Sequence, residues 1–480
     1  MDEQEYIASL EQGIKLLMEQ NAAAQSSFQK LQKLHETVVD DPVWKLTWPA
    51  RYLREKLCKP LFYTDFPDVD AIIAKAPPVL PVKISVIIPA FQGGKELPTL
   101  LNSLKNQKGL SEVEYIAVVT QSSDGTCDVA RQYGAKVLPI RKQNFSHSAA
   151  RNLGAQHAQG ELLLFTVQDA CFDRPDALYK MACMLLYAGV DAVSCRQAPH
   201  CSADMMAKYE VQQNIQTKAN SFKDHIDKML HMPKTFREWE PVLYIDDVAH
   251  MTKKEVWNSH PFHGEFAEDM MYAADLLRAG RCTCMLHSTE VCHSHTRGAA
   301  SIFWRAYQAG TGLLENWNEY LPLERTACTR TAAQEAVRFR KYWNGIGVLY
   351  EEEAAFLKKR EASCVVLARM RNALLETPMG SSNSKMIFPF WGKEEESLAN
   401  KLYALAQSDT KEVAAQELLG TLTEIESFFF REKTVSLGEK EKAELFSMLV
   451  KLIFQYTGHA LAFAQHSKGN LPELLDGLAL

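Results

Sequence analysis

Three short clusters in the sequence hold side chains that could do chemistry. Gln168-Asp169 closes the apolar run at 162–165, Glu268-Asp269 opens an amphipathic stretch at 268–279, and His293-Ser294-His295 follows Thr289-Glu290-Val291. A carboxylate at the carboxyl end of a strand in an α/β sheet is aimed at the crevice where ligands sit. Acids in the first turn of a helix are kept ionised by the helix dipole, which suits a general base working near neutral pH. Two histidines two apart on a strand share one face, a spacing that allows metal ligation. Arg151 adds a cation one helix away from Asp169. Each cluster also has a plain structural reading: Asp169 as a turn former, Glu268 and Asp269 as ordinary first-turn acids, the histidines as solvated side chains.

The elements that must position these groups are marked by period and punctuation. Ser146 or Ser148 can cap a helix whose Ala149, Ala150, Gly154, Ala155 and Ala158 let it lie close to the layer beneath, and Gly160 is expected to end it. Residues 162–165 then read as a short strand buried on both faces. Upstream, 84–88 is a β-branched strand ended by Pro89, with a second strand at 115–119 and a third at 137–140. Helices at 97–104 and from the Ser122–Thr126 turn to Gly134 lie between them. A helix at 176–188 and a strand at 192–194 continue the alternation, which implies a parallel, right-handed α/β layer. Further strands are expected at 242–245, 284–286 and 289–291, and a short helix at 251–258. From about Thr326 the period is helical, broken at 378–392. The apolar set Leu418, Leu419, Leu422, Ile425, Phe428 and Phe429 needs a partner. Near the N-terminus, Ile7, Leu10, Ile14, Leu17, Ala24, Phe28, Leu31 and Val38 share a heptad face, either a coiled coil or a helix packed on the protein's own body. A polar helix is expected at 51–57.

At 480 residues the chain exceeds one core's worth, and the composition shifts divide it into 1–80, 81–325 and 326–480. Hydrophobic content of 46% and charged content of 23% are those of a soluble globular protein. A net charge of −6 argues against nucleic acid as a partner. No run reaches the roughly 18 apolar residues of a membrane span, and the acidic Met1-Asp2-Glu3-Gln4-Glu5 lacks the order of a signal peptide, so a cytoplasmic chain is expected. The eleven cysteines form no CxxC pair, which points to reduced thiols rather than a disulfide framework or zinc site.

Taken in order, a larger set of motifs emerges: Ser85-Val86-Ile87-Ile88-Pro89-Ala90-Phe91, Ser123-Asp124-Gly125-Thr126, Phe145-Ser146-His147, and Ala150-Arg151-Asn152-Leu153-Gly154-Ala155. Thr166-Val167-Gln168-Asp169-Ala170, Pro261-Phe262, Glu268-Asp269 with Arg278-Ala279-Gly280, and His293-Ser294-His295 complete it. With these, residues 83–310 resemble the family 2 glycosyltransferases of GT-A fold, and within them the rhamnosyltransferase-like branch. The resemblance implies a Rossmann-like α/β core with a mostly parallel sheet between N- and C-terminal helical regions. It implies inverting transfer of a hexosyl unit from a nucleotide-sugar donor to a hydroxyl of a glycan or lipid-linked acceptor, in bacterial surface or secreted glycan synthesis. On matching positions, Pro89, Ala90, Phe91, Gln121, Asp124, Arg151 and Gln168 form the donor site. Asp169 with His293 and His295 binds a divalent cation (Mn²⁺ or Mg²⁺), and Asp269, beside Glu268, is the base. Peripheral contact with the inner face of the membrane and a homodimer through the helical flanks are further expectations. Two positions depart from the family pattern. Val167 stands where the first Asp of a DxD motif is usual, and Thr120-Gln121 where an acidic pair is usual. They leave a rival reading from another class, a non-catalytic scaffold on the same fold.

Overall fold

The computed structural model describes residues 60–218, 222–317, 331–352, 360–376, 392–406, 416–430 and 435–466. The heptad face at 7–38, the helix expected at 51–57 and all but the last residue of the 378–392 break lie outside them. The α/β core runs β1 (Phe62–Asp65), α1 (Val69–Ile73), β2 (Leu80–Ala90), α2 (Leu97–Lys105), β3 (Leu110–Thr120), α3 (Thr126–Gln132), β4 (Lys136–Ile140), α4 (His147–Gln156) and β5 (Leu162–Thr166). It continues α5 (Ala177–Tyr187), β6 (Ala192–Ala198), α6 (Met205–Lys218), β7 (His225–Met229), α7 (Phe236–Trp239), β8 (Ala249–Lys253), α8 (Lys254–Ser259), α9 (Glu268–Arg278) and β9 (Cys282–Cys292).

These strands form one sheet in the order β1-β7-β9-β6-β8-β5-β2-β3-β4. Its half β5-β2-β3-β4 is parallel, as the alternation of strands and helices requires, and Ile84, Val86, Ile87 and Ile88 of β2 are fully buried by helices on both faces. Ser146 caps α4, accepting from the Ala149 amide at 3.0 Å. The helix lies so close to the sheet that a Cβ on Gly154 would stand 2.4 Å from Ile87 Cγ2. It ends at Gln156, well before Gly160. Gly160 serves a different need: it presses on β2, where a Cβ would meet Ser85 Oγ at 2.6 Å and its amide donates to that hydroxyl at 2.7 Å.

Differences from the sequence expectations lie in the other half. β8 occupies the start of the stretch expected to be helical, inserted antiparallel between β5 and β6, where it satisfies the backbone groups of both neighbours. Residues 242–245 form no strand; a 3₁₀ turn leads into an irregular segment whose Leu243, Tyr244 and Ile245 are buried. A short apolar run looks alike in a strand and in buried coil. The strands expected at 284–286 and 289–291 are one strand, β9. β1, within the N-terminal stretch expected to be helical, pairs with β7 as the sheet's outer strand.

Six described helices follow: α10 (Ala299–Trp317), α11 (Ala332–Glu352), α12 (Ser363–Glu376), α13 (Lys393–Ala406), α14 (Gln416–Phe429) and α15 (Glu439–His466). Phe303, Phe339, Trp343, Phe446 and Phe454 centre their core, which also takes in Met205, Met206 and Tyr209 of α6. The bundle thus docks on the α/β core through α6, and the Lys451–Asp204 ion pair ties the two. α10 and α15 touch backbone to backbone, since a Cβ on Gly458 would stand 2.4 Å from the Phe303 carbonyl oxygen. Leu422 and Ile425 of α14 are buried in this bundle, with Phe428 and Phe429 packed against it. Among the described residues no helix is long and apolar enough to cross a membrane.

Candidate active site

Asp169 follows β5 and the two histidines follow β9, although β8 and β6 lie between those strands. A local bridge closes the gap. The Cys171 amide donates to the Cys292 carbonyl at 2.9 Å and the Cys292 amide to Cys171 at 2.8 Å, which draws the two strand ends together. His295 Nδ1 then lies 3.3 Å from one Asp169 oxygen and His293 Nε2 3.7 Å from the other. The two Nε2 atoms are 3.0 Å apart.

Gln197 donates its amide to Asp246, so its Oε1 faces His293 and accepts from Nδ1 at 2.9 Å. That bond places the lone pair of His293 on Nε2, toward the cluster. Burial pulls the His293 pKa below its ordinary value despite Asp169. Burial, with Arg297 next to it, pulls His295 down to about 4. Both imidazoles are therefore neutral at pH 7. One carboxylate and two neutral imidazoles, with their donor atoms within 4.8 Å of one another, fit a divalent cation.

The acidic helix is held by one face of α4. Ser148 Oγ donates to the Gly264 carbonyl at 2.6 Å. Asn152 clamps the Phe262 backbone, donating to its carbonyl at 2.7 Å and accepting from its amide at 3.1 Å, and it also accepts from Trp257 Nε1. Arg151 pairs with Asp247 at 2.8 Å and with Glu268. These three charges are 3%, 2% and 6% exposed respectively. Burial opposes the charge on Arg151, but Asp247 and Glu268 outweigh it and raise its pKa. Asp247 is lowered by Arg151 and His250 in spite of its burial, whereas burial raises Glu268 and the Arg151 charge only partly offsets it. Ala267, just before the helix, has φ of +57°, a conformation that costs a non-glycine residue about 1–3 kcal/mol. From that turn Glu268 is directed at Arg151, while Asp269 lines a cavity.

This cavity, of about 740 Å³, is lined on one side by Asp269, Asp246, Gln197, His293 and His295, and on the other by α6, α10, α14 and α15. Arg297, just after the histidines, and Arg305 of α10 also line it. Burial, and then the neighbouring charge of Arg305, lowers the Arg297 pKa to about 10.

The expected donor residues lie apart from that cavity. Pro89 and Ala90 end β2, and Phe91 is 48% exposed on the loop beyond. Gln168 holds that loop, accepting from the Phe91 amide at 2.8 Å and donating to its carbonyl at 3.1 Å. Asp124 accepts from the Gly94 amide at 2.7 Å and from Thr126, bonds that lower its pKa. Gln121 sits at a shallow depression of about 400 Å³ with Arg141, Lys142 and Gln143. Arg151 is enclosed and faces neither hollow. The sequence reading passed over Gln197, Asp246, Asp247, Arg297 and Arg305. The acid pair after the apolar run at 242–245 was a usable signal for two of them, and Arg297, two residues past His295, for a third. Gln197 carries none.

Comparison with known proteins meets this geometry. The model for Glycosyl transferase family 2 matches residues 85–237. An O-antigen chain rhamnosyltransferase of Salmonella typhimurium is 26% identical over 237 residues, covering 48% of this chain and 72% of the relative. That of Salmonella anatum is 26% identical over 204 residues, 41% of this chain and 61% of its own. A mannosyltransferase from Pyrobaculum calidifontis, solved with GDP-Man and Mn²⁺, has 15% identity and a TM-score of 0.40 over 82% of this chain and 92% of its own. The part of the chain that matches the family 2 glycosyltransferases, residues 85–237, lies within the α/β core and includes Asp169.

Proposed function

We propose that the protein transfers a sugar, with inversion, from a nucleotide-sugar to a hydroxyl of a glycan or lipid-linked acceptor, on the way to a bacterial surface or secreted glycan. The observation that carries this reading is the cavity shared by Asp269 and the two histidines that meet Asp169. The rhamnosyltransferase relatives make a nucleotide-activated rhamnose the first donor to test.

Asp269 takes the proton of the acceptor hydroxyl as that oxygen attacks the anomeric carbon. The glycosidic bond forms on one face while the bond to the diphosphate breaks on the other, so the configuration inverts. Asp169, His293 and His295 would hold a divalent cation, which would supply a Lewis acid for the diphosphate. Arg297 and Arg305 meet the charge of the departing diphosphate, the role for which Arg151 is too enclosed. Phe91, exposed on its loop, offers a stacking face to the base. Asp246 has both oxygens engaged, by Gln197 and by the Val248 amide, and Glu268 is closed on Arg151, so neither is presented as a covalent nucleophile.

The test is NMR of the product's anomeric centre after reaction with nucleotide-activated sugars and Mn²⁺. A product of the opposite anomeric configuration to the donor supports direct displacement; retention overturns it. Absence of both transfer and donor hydrolysis across the donor panel would favour the scaffold reading.

A further inference from the structure

We infer that the helical wall of the cavity is an oligosaccharide-binding subsite, so that the acceptor is a glycan of two or more residues rather than a single sugar or a small aglycone. This deepens the proposed function and rests on it. The cavity begins at Asp269, His293 and His295 and extends along α6, α10, α14 and α15; none of Pro89, Ala90, Phe91, Gln121, Asp124 or Gln168 lines it. The space therefore lies on the side of the base and away from the loops at the ends of β2 and β3. The acceptor, whose hydroxyl must reach Asp269, occupies that side. Of the cavity's volume of about 740 Å³, the diphosphate takes the end at His293, His295, Arg297 and Arg305, which leaves the stretch along α6, α14 and α15 for the acceptor.

The chemistry of the wall names the occupant. α15 is the apolar spine of the bundle, with Leu452, Ile453 and Phe454 all buried, yet Gln455, Tyr456 and His459 face the cavity. Tyr456 is 37% exposed there, with its hydroxyl 2.6 Å from that of Thr421. Gln455 donates to Glu210 at 2.9 Å, and the Tyr209 hydroxyl donates to Glu424 at 3.0 Å. These bonds fix the side chains in place without exhausting them, because an ionised carboxylate accepts at about four lone-pair sites. An aromatic ring beside fixed carboxylates and an amide suits the C–H faces and hydroxyl groups of a sugar. A lipid tail would meet carboxylates it could not satisfy.

The experiment is retention on a printed array of defined mono- to hexasaccharides ending in rhamnose, mannose or galactose. It uses the full-length chain, the double variant Gln455→Ala with Tyr456→Ala, and Glu424→Gln, with thermal unfolding of each as the check on folding. Wild type is expected to retain at least one oligosaccharide but not its terminal monosaccharide, and both variants to lose at least tenfold of that retention. Equal retention of mono- and oligosaccharide, no oligosaccharide retained, or unchanged retention by folded variants would overturn the inference. Donor hydrolysis by the wild type is read beside it. Its absence together with the expected array pattern would defeat the transferase reading and leave the glycan subsite standing.

Discussion

Two charged clusters lie on the same sheet and make opposite use of similar residues. In the Arg151, Asp247 and Glu268 cluster the side chains are 3–8% exposed and the charges answer one another. In the Asp169, His293 and His295 cluster they are 12–32% exposed, and three donors converge beside an open cavity. The first cluster fixes where α9 begins; the second gathers one carboxylate and two imidazoles within 4.8 Å of one another. Residue type does not separate structure from chemistry here. Enclosure differs even between adjacent residues, with Glu268 closed on Arg151 and Asp269 lining the cavity.

The largest expected effect is on the open side. Asp269→Asn is expected to lower the transfer rate about 10²–10⁴-fold while leaving donor affinity near the wild-type value, by initial rates and calorimetry. Equal losses in rate and donor affinity would move Asp269 out of the base's role. On the closed side, Arg151→Met leaves Asp247 and Glu268 facing each other without a counter-charge. The expected cost is about 3–5 kcal/mol in urea unfolding, with donor affinity of the folded protein kept. A loss of donor affinity at unchanged stability would place Arg151 at the donor after all.

Next comes pH. Burial, and then Arg151, holds His147 at about 4 against 6.5 in the unfolded chain. Between those values the unfolded state binds a proton that the folded state refuses. Stability should be flat above pH 6.5 on this account and fall only slightly toward pH 4, because solvent around the exposed His147 ring screens the effect. His147→Gln should reduce that acid slope, read from unfolding midpoints across pH; an unaltered slope would show that His147 titrates normally. Asn152→Ala leaves the Phe262 backbone groups and Trp257 Nε1 without their partner. About 1–3 kcal/mol is expected, together with faster hydrogen exchange in residues 262–268.

Much of the parallel half of the fold could be read from the sequence, because alternating strands and helices leave few topologies and residues 86–88 of β2 and 162–165 of β5 are apolar throughout. In the other half β6 and β9 were legible, but the antiparallel strands β1, β7 and β8 were not. β8, Ala-His-Met-Thr-Lys, carries no apolar run although it is a central strand, whereas the apolar run at 242–245 is buried coil; only their neighbours decide which becomes a strand. At the site, the residue types pointed to the right neighbourhoods, but the roles depended on distant partners. Ser148 reads as a candidate cap and Arg151 as a donor contact, and Asn152 only as part of a motif; their partners Gly264, Glu268 and Phe262 are 110 to 117 residues away in the chain. Gln197 carries no local pattern at all, and it is 96 residues from the His293 ring that it orients.

The contrast between the clusters is tested most directly by titrating Mn²⁺ into the wild-type protein, Asp169→Asn, Gln197→Ala and Arg151→Met by calorimetry. The wild type is expected to bind saturably and Asp169→Asn to lose most of that binding. Gln197→Ala should weaken it by about 10–100-fold through the disordered His293 ring. Arg151→Met, folded at low temperature, should bind like the wild type. Unchanged Mn²⁺ affinity in Asp169→Asn, or loss of binding in Arg151→Met alone, would contradict the account.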